Sequence, residues 1–111
     1  MTELLRLEDF KKAQLRVARI LAADEIAGAD RLWKLTIDSG SGPKMIVAGI
    51  KKNYPQRECL VGKSIVVVDN LEPAIIRGVE SKGMLLAAKD GDQFSLITVE
   101  RPEIPPGSAV G

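Results

Sequence analysis

The chain has 111 residues, 45% of them hydrophobic, and a net charge of +1, values typical of a single globular domain. It contains no histidine and one cysteine, Cys59, which excludes a conventional zinc site, an internal disulfide and a histidine-activated nucleophile. No apolar run approaches the roughly 20 residues of a membrane-spanning helix, and the start of the chain does not resemble a secretory signal. We therefore expect a cytoplasmic, non-enzymatic protein with no metal, no cofactor and no membrane association.

The first half of the chain reads as a short helix followed by three strands. Apolar residues at helical spacing predict the helix over 7–13. A long strand, bent because its alternation slips, is predicted over 14–23, and a polar loop over 24–30. Clean alternation predicts a half-buried strand over 32–38, and a glycine-rich turn separates it from a third strand over 44–48.

The second half contains the remaining strands. A short connecting helix is predicted within 50–62, and the β-branched run within 64–69 predicts a buried strand. A long loop over 70–82 leads to a fifth strand over 83–89. A sixth strand over 93–99 and a proline-rich tail end the chain.

Three strands, a connecting helix and two strands form the element order of an OB-fold, a five-stranded Greek-key barrel. We predict an all-β OB-fold with short helices and with N- and C-terminal extensions. The whole chain, 1–111, is expected to be one domain, with its core barrel over about 14–89 and a C-terminal extension over 90–111. Another small barrel, such as an SH3-like one, is the alternative. The initial Met1 and the absence of a linker predict a complete product.

Positive charge is concentrated in the middle of the chain. Residues 31–89 carry ten basic and five acidic side chains, a net +5, whereas residues 90–111 carry one basic and four acidic ones, a net −3. OB-folds bind ligands on strands 2 and 3 and on the loops that join strands 1–2 and 4–5. The basic residues predicted there are Arg31, Lys34, Lys44, Lys51, Lys52, Arg77 and Lys82. Such a surface would bind phosphates, unless these side chains are ordinary solvated charges.

Aromatic side chains, which stack bases in single-strand binders, make up only 4% of the chain. We predict Phe10, Trp33 and Phe94 to be core residues. Tyr54 is the one candidate for stacking, and a structural role is favoured for it as well. The composition therefore suits recognition of a folded RNA by shape and backbone better than recognition of unpaired bases.

The most specific feature is a resemblance carried by Asn70-Leu71-Glu72-Pro73 and by the segment from Gly78 to Ala88, which contains Ser81-Lys82-Gly83-Met84. It resembles the signature of the tRNA-binding domain family. That family includes the C-terminal domain of methionyl-tRNA synthetases, free-standing structure-specific tRNA-binding proteins and endothelial-monocyte-activating polypeptide domains. Ala29-Asp30-Arg31-Leu32 and Ile46-Val47-Ala48-Gly49-Ile50 are also similar to family segments and occur in the same order.

The resemblance implies an OB-fold homodimer that binds the outer corner of L-shaped tRNA and acts as a docking aid for an aminoacyl-tRNA synthetase, such as methionyl-tRNA synthetase. It implies no chemistry of the domain's own. Asn70 and Ser81 could instead hold the loop backbone, and Met84 could be core. The resemblance implies that the tRNA contacts are Arg31, Lys51, Lys52, Asn70, Ser81, Lys82 and Met84. The basic residue Arg77 of the second loop completes the predicted nucleic-acid-binding residues.

The chain departs from the family pattern at three places. Ala27-Gly28 stands where many members have His-Pro, and Glu72 and Ile75 stand where lysine is common. These changes remove positive charge from a binding loop, so we expect weaker tRNA binding or a shifted surface.

The main alternative is a dimeric chaperone of the CsaA type, which shares the fold and binds polypeptide; the Ser81 to Met84 segment favours tRNA binding. A structural tethering domain is a third possibility.

Overall fold

Antiparallel β-strands dominate the structure, a computed structural model that describes residues 2–111. There is one short helix near the start and one 3-10 turn, Arg57–Cys59. The elements are α1 (Leu7–Phe10), β1 (Leu15–Ile26), β2 (Ala29–Asp38), β3 (Pro43–Ala48), β4 (Ser64–Val68), β5 (Ala74–Ile76), β6 (Val79–Ser81), β7 (Met84–Leu85), β8 (Ala87–Asp90), β9 (Gln93–Leu96) and β10 (Ala109–Val110).

Strand β1 is the centre of the fold. Its first half pairs with β4 and its second half pairs with β2, with a bulge between Ile20 and Ala22. The main sheet has the order β3-β2-β1-β4-β7, while β5–β6 and β8–β9 form separate hairpins. A long bent first strand shared by two partners lets one sheet curl towards a barrel. The predicted all-β, OB-like fold is confirmed.

Strand β3 and the segment that follows β6 close the curled sheet. The Lys82 amide donates a hydrogen bond to the Met45 carbonyl oxygen at 3.0 Å. Beside it, the Val47 amide donates to the Ser81 hydroxyl oxygen at 2.9 Å. The Ser81 hydroxyl thus takes the place of a backbone carbonyl as hydrogen-bond acceptor, at a point where β3 has no regular strand partner.

The core is built from the inward-facing residues of β1 to β4. Trp33, Leu35 and Ile37 on β2 are each at most 2% exposed, and they pack with Ile46 of β3 and Ile65 of β4. The period-two alternation of β2 places these side chains on one face. The prediction that Trp33 is core is therefore confirmed.

Several predicted elements differ from the observed ones. The polar loop over 24–30 is instead a continuation of β1 and β2, joined by the two-residue turn Ala27-Gly28. Polar residues can form a strand there because Asp24 and Glu25 pair with β2 through backbone groups. The prediction of Phe10 as core is wrong, since it is 39% exposed.

The second half of the chain shows further differences. Within 50–62 only the 3-10 turn is helical, and the predicted loop over 70–82 contains the β5–β6 hairpin. The predicted fifth strand is divided at Leu86 into β7, which pairs with β4, and β8, which pairs with β9. The predicted sixth strand ends at Leu96 as β9.

The C-terminal segment packs against the barrel through two glycines. A Cβ atom added to Gly40 would lie 2.7 Å from the Gly107 Cα atom, so neither position accommodates a side chain. The Gly107 amide donates to the Val17 carbonyl oxygen at 2.7 Å, and β10 then pairs with the start of β1. The last residues therefore pair with the start of β1, which β2 does not reach. In the described part of the chain, no helix is long and apolar enough to cross a membrane.

Candidate nucleic-acid interface

The tip of the β5–β6 hairpin has an unusual backbone. Arg77 and Gly78 have φ angles of 52° and 80°, which is the left-handed pair of a type I′ turn. Arg77 is the one non-glycine residue with positive φ among residues 2–111. This conformation costs about 1 kcal/mol for a residue with a side chain. Asn would adopt this conformation at lower cost, so the arginine at this position points to a function of its side chain.

Arg77 lies beside the tip of the β1–β2 hairpin. It lines one surface depression together with residues 28–32, which include Arg31 and Asp30. The Arg31 carbonyl oxygen accepts a hydrogen bond from the Lys51 amide at 3.2 Å, which places the start of the β3–β4 connection next to the depression. Lys52 follows and is exposed. Three separated stretches of sequence thus bring four predicted basic residues to one end of the barrel.

The Lys51 side chain is held over the buried indole of Trp33. Its Nζ atom lies 4.8 Å from the ring centroid, and the Arg57 guanidinium carbon lies 5.6 Å from the same centroid. The indole Nε1 donates to the Tyr54 carbonyl oxygen at 2.8 Å, which fixes the ring. The ring face attracts both cations because of its quadrupole. Trp33 therefore has a second role, as a platform for two positive charges.

Glu25 is the counter-ion of this cluster. Its carboxylate accepts a hydrogen bond from Lys51 Nζ at 2.9 Å. This hydrogen bond, then the charge of Lys51 and the more distant charge of Arg57, hold the pKa of Glu25 below its ordinary value. The Glu25 side chain is 64% exposed, whereas that of Lys51 is 20% exposed. Glu25 thus neutralises part of the positive charge at this end of the barrel.

Lys82 and Met84 lie on the segment that follows β6 and closes the sheet against β3. Lys82 is exposed and forms an ion pair with Glu80 at 3.5 Å. Met84 is 49% exposed and pairs with Val68, near the end of the barrel where β1 begins. Met84 is therefore not a core residue, and it lies away from the depression that contains Arg31 and Arg77.

Asn70 has a structural role in this structure. Its side-chain oxygen accepts a hydrogen bond from the Gln14 amide at 2.8 Å, and its side-chain nitrogen donates to the Lys12 carbonyl oxygen at 2.7 Å. Both bonds hold the segment between α1 and β1. Asn70 lies at the end of β1 opposite to Arg31, so the structure does not bring these two predicted residues together.

Ser81 was predicted to contact the ligand, and the structure places its side chain inside the barrel. Ser81 is 4% exposed. Its hydroxyl accepts from the Val47 amide and donates to the Gly83 carbonyl oxygen at 3.1 Å, so both hydrogen-bonding functions are used within the barrel. The residue closes the barrel and fixes the start of the Lys82 to Met84 segment.

A Ser81→Ala substitution should therefore lower stability rather than remove a ligand contact. It would leave the Val47 amide without its acceptor, at a cost of about 1–2 kcal/mol. We expect a lower midpoint in urea unfolding and, in the residual folded protein, unchanged ligand affinity. A loss of affinity with unchanged stability would instead show that Ser81 contacts the ligand.

Lys44 was placed on the predicted basic face, but it is engaged in an internal network. Its ammonium pairs with the Asp69 carboxylate, which also accepts a hydrogen bond from the Ser39 hydroxyl at 2.8 Å. Arg16 adds a charge 3.8 Å from the same carboxylate. Burial by itself would raise the pKa of Asp69, but the hydrogen bonds and charges outweigh it and hold the pKa below its ordinary 3.8. This network joins the ends of four strands, and it engages the Lys44 ammonium within the barrel.

Sequence reasoning did not find Arg57, because only Lys51 and Lys52, at the start of the predicted connecting helix, were assigned to the binding surface. The proximity of Arg57 to Trp33 depends on how this irregular segment packs, and no local pattern encodes it. Among residues 2–111, no group of three or more Asp, Glu or Cys side chains is placed to hold a metal ion.

Comparisons with known proteins point to nucleic-acid binding. The family described as "Putative tRNA binding domain" matches residues 15–109. Over 106 residues the chain is 49% identical to the methionine–tRNA ligase of Thermotoga maritima, a match that covers 96% of the chain and 16% of that ligase. The chain thus spans about one sixth of the length of the curated relatives it matches.

Two solved structures show the same architecture. A MetRS related protein from Pyrococcus horikoshii is 38% identical, with a TM-score of 0.91 and coverage of 99% of this chain and 100% of that one. The CsaA chaperone protein from Picrophilus torridus is 30% identical, with a TM-score of 0.87 and coverage of 97% of this chain and 100% of that one.

Proposed function

The chain belongs to the tRNA-binding domain family, and from this premise we propose that it binds folded tRNA at the outer corner through phosphate contacts. It performs no chemistry of its own. The observation that carries the proposal is the convergence of Arg31 and Arg77 in one depression, with Lys51 joined to Arg31 through the backbone. Guanidinium groups bind phosphate oxygens in a bidentate manner. Arg31 and Arg77, close to the tips of two adjacent hairpins, would contact phosphates of a folded RNA backbone.

The aromatic residues support recognition by shape over recognition of unpaired bases. Trp33 is 2% exposed, and the cations of Lys51 and Arg57 lie over its ring. The Tyr54 hydroxyl accepts the Leu96 amide at 3.1 Å, and its ring packs edge-on against Phe94. The Trp33 ring is therefore too buried to stack a base, and the half-buried Tyr54 is engaged in contacts within the domain. Phosphate contacts give affinity that depends on salt and little sequence preference.

The partners of this function are proposed from the relatives. The domain serves as a docking aid that raises the local concentration of tRNA for an aminoacyl-tRNA synthetase, such as methionyl-tRNA synthetase, in the cytoplasm.

We propose that it acts as a homodimer, because Leu4, Leu5 and Leu7 are 88%, 69% and 66% exposed at the start of the chain. Sedimentation as a monomer at micromolar concentration would contradict the dimer.

Filter binding with folded tRNA at several salt concentrations tests the function. We expect binding that weakens steeply with salt, with a slope set by the number of phosphates contacted. No binding at low salt would remove the tRNA assignment. Binding that does not change with salt would leave tRNA as the ligand but reject phosphate contacts as the mechanism.

A Glu25→Gln substitution is expected to tighten tRNA binding. It releases Lys51 from its carboxylate partner and removes a negative charge that a phosphate would face. Filter binding should give a higher affinity and a salt slope steeper by about one ion. Glu58→Gln, an exposed carboxylate outside this contact, is the matched control. Weaker binding by Glu25→Gln would show that Glu25 positions Lys51 instead of competing for it.

Chaperoning is the second candidate, and one observation favours it. Three large apolar residues within 71–84, Leu71, Ile75 and Met84, are 44%, 69% and 49% exposed, and the CsaA chaperone protein shares the fold. Exposed apolar side chains of this kind would bind an apolar polypeptide. Suppression of the aggregation of an unfolded protein, abolished by Ile75→Asp with tRNA affinity unchanged, would support it.

A further inference from the structure

A second basic depression lies on the other side of the β3–β4 connection. Arg19 and Lys63 line it together with Thr98 and Pro102, and its volume is about 220 Å³. No carboxylate is among its lining residues. The Thr98 hydroxyl donates to the Ser64 carbonyl oxygen at 2.6 Å, so the two cations and the Ser64 hydroxyl are the side-chain donors that remain for a ligand.

Arg19 has an unused donor at this site. Its Nε atom is buried and has no hydrogen-bond partner. The facing residue on β2, Asp38, accepts the Gly40 amide at 2.8 Å, and Arg19 takes part in none of the ion pairs formed by residues 2–111. A charged donor left unpaired in the barrel is costly, and an anion in the depression would offset the uncompensated charge of Arg19.

The depression is linked to the Lys51 surface through Tyr54. Lys63 Nζ lies 5.4 Å from the centroid of the Tyr54 ring. The Tyr54 carbonyl oxygen accepts the Trp33 indole N–H, and Lys51 and Arg57 lie over that indole. We call Lys51, Arg57, Lys63 and Arg19 the basic strip. The backbone ties its last two members together, because the Ile20 amide donates to the Lys63 carbonyl oxygen at 2.9 Å.

We propose that the depression between Arg19 and Lys63 binds a phosphate group, and that in the complex this phosphate belongs to the RNA backbone. The basic strip then extends the interface from Arg31 around the β3–β4 connection, and tRNA is anchored at both ends of it. This inference rests on the proposed tRNA-binding function. The guanidinium supplies the directed donors and the ammonium supplies a flexible positive charge.

Nuclear magnetic resonance of the 15N-labelled full chain tests the Arg19 contact. The side-chain Nε–H signal of Arg19 is assigned by its disappearance in Arg19→Lys and is followed during titration with folded tRNA and, separately, with inorganic phosphate. We expect the signal to shift with tRNA. A signal that stays in place at saturating tRNA overturns the proposal. A shift with inorganic phosphate but not with tRNA overturns the assignment to the RNA backbone.

Filter binding of a Lys63→Gln variant tests the depression without disturbing the fold, because Lys63 is exposed. We expect tRNA affinity to fall about fivefold and the salt slope to decrease by about one. Lys89→Gln, on the β8–β9 hairpin outside the basic strip, should leave both values unchanged. Equal affinities for Lys63→Gln and the wild type overturn the proposal. Absence of tRNA binding by the wild type would instead reject the proposed function.

Discussion

Replacing Arg31 by Gln and Arg77 by Asn together is expected to weaken tRNA binding about 100-fold at low salt. The two side chains line one depression, and each charged hydrogen bond to a phosphate contributes about 1.5 kcal/mol. The salt slope should fall by about two. Both residues are exposed, so the melting temperature of the double variant should not decrease.

Arg77→Asn alone separates binding from folding. Asn-Gly is the preferred pair for a type I′ turn, so this variant should be more stable than the wild type by up to about 1 kcal/mol. Its tRNA affinity should nevertheless be lower. Lys89→Gln removes an equal charge outside the depression and should change neither quantity. If Arg77→Asn bound tRNA as tightly as the wild type, the hairpin tip would not be part of the interface.

Asp69→Ala should destabilise the barrel by about 2 kcal/mol. The substitution leaves Lys44, whose side chain is 20% exposed, without its counter-ion and removes the acceptor of the Ser39 hydroxyl. For a domain of this length we expect a decrease of roughly 10 °C in melting temperature. Retention of the wild-type melting temperature would show that the network contributes nothing.

The same carboxylate should make stability depend on pH. Because the pKa of Asp69 is lower in the folded protein than in the unfolded chain, ionised Asp69 stabilises the fold above its ordinary 3.8. This contribution is lost as the pH falls through the lowered pKa. The difference in stability between the wild type and Asp69→Asn should therefore be constant near pH 6 and shrink below about pH 4. A difference that stays constant down to pH 2 would contradict this assignment.

Much of the fold could be predicted because its main strands carry a clear local pattern. The alternation of Trp33, Leu35 and Ile37 predicted β2 and its buried face, and the β-branched run predicted β4. The hairpin within 70–82 was missed because its strands have three residues each and pair mainly through the backbone. The divided strand after Gly83 was missed because its two parts pair with different partners, which is not a local property.

The candidate site could be predicted only in part, for a related reason. Basic residues at the expected loops identified Arg31, Lys51 and Arg77, since loop position follows from element order. The roles of Ser81 and Asn70 depend on partners 34 and 56 residues away, which no local pattern shows. Arg57 reaches the Trp33 ring, and Lys63 reaches the Tyr54 ring, only after the irregular β3–β4 connection has folded.

Hydroxyl-radical footprinting of a folded tRNA bound to this protein tests the central claim most directly. The method reports which backbone positions the protein covers, whatever the sequence. We predict protection confined to the outer corner of the tRNA, lost in the variant with both Arg31→Gln and Arg77→Asn and retained in Lys89→Gln. Protection of the anticodon or acceptor end, or an outer-corner footprint unaffected by the two arginine substitutions, would contradict the account.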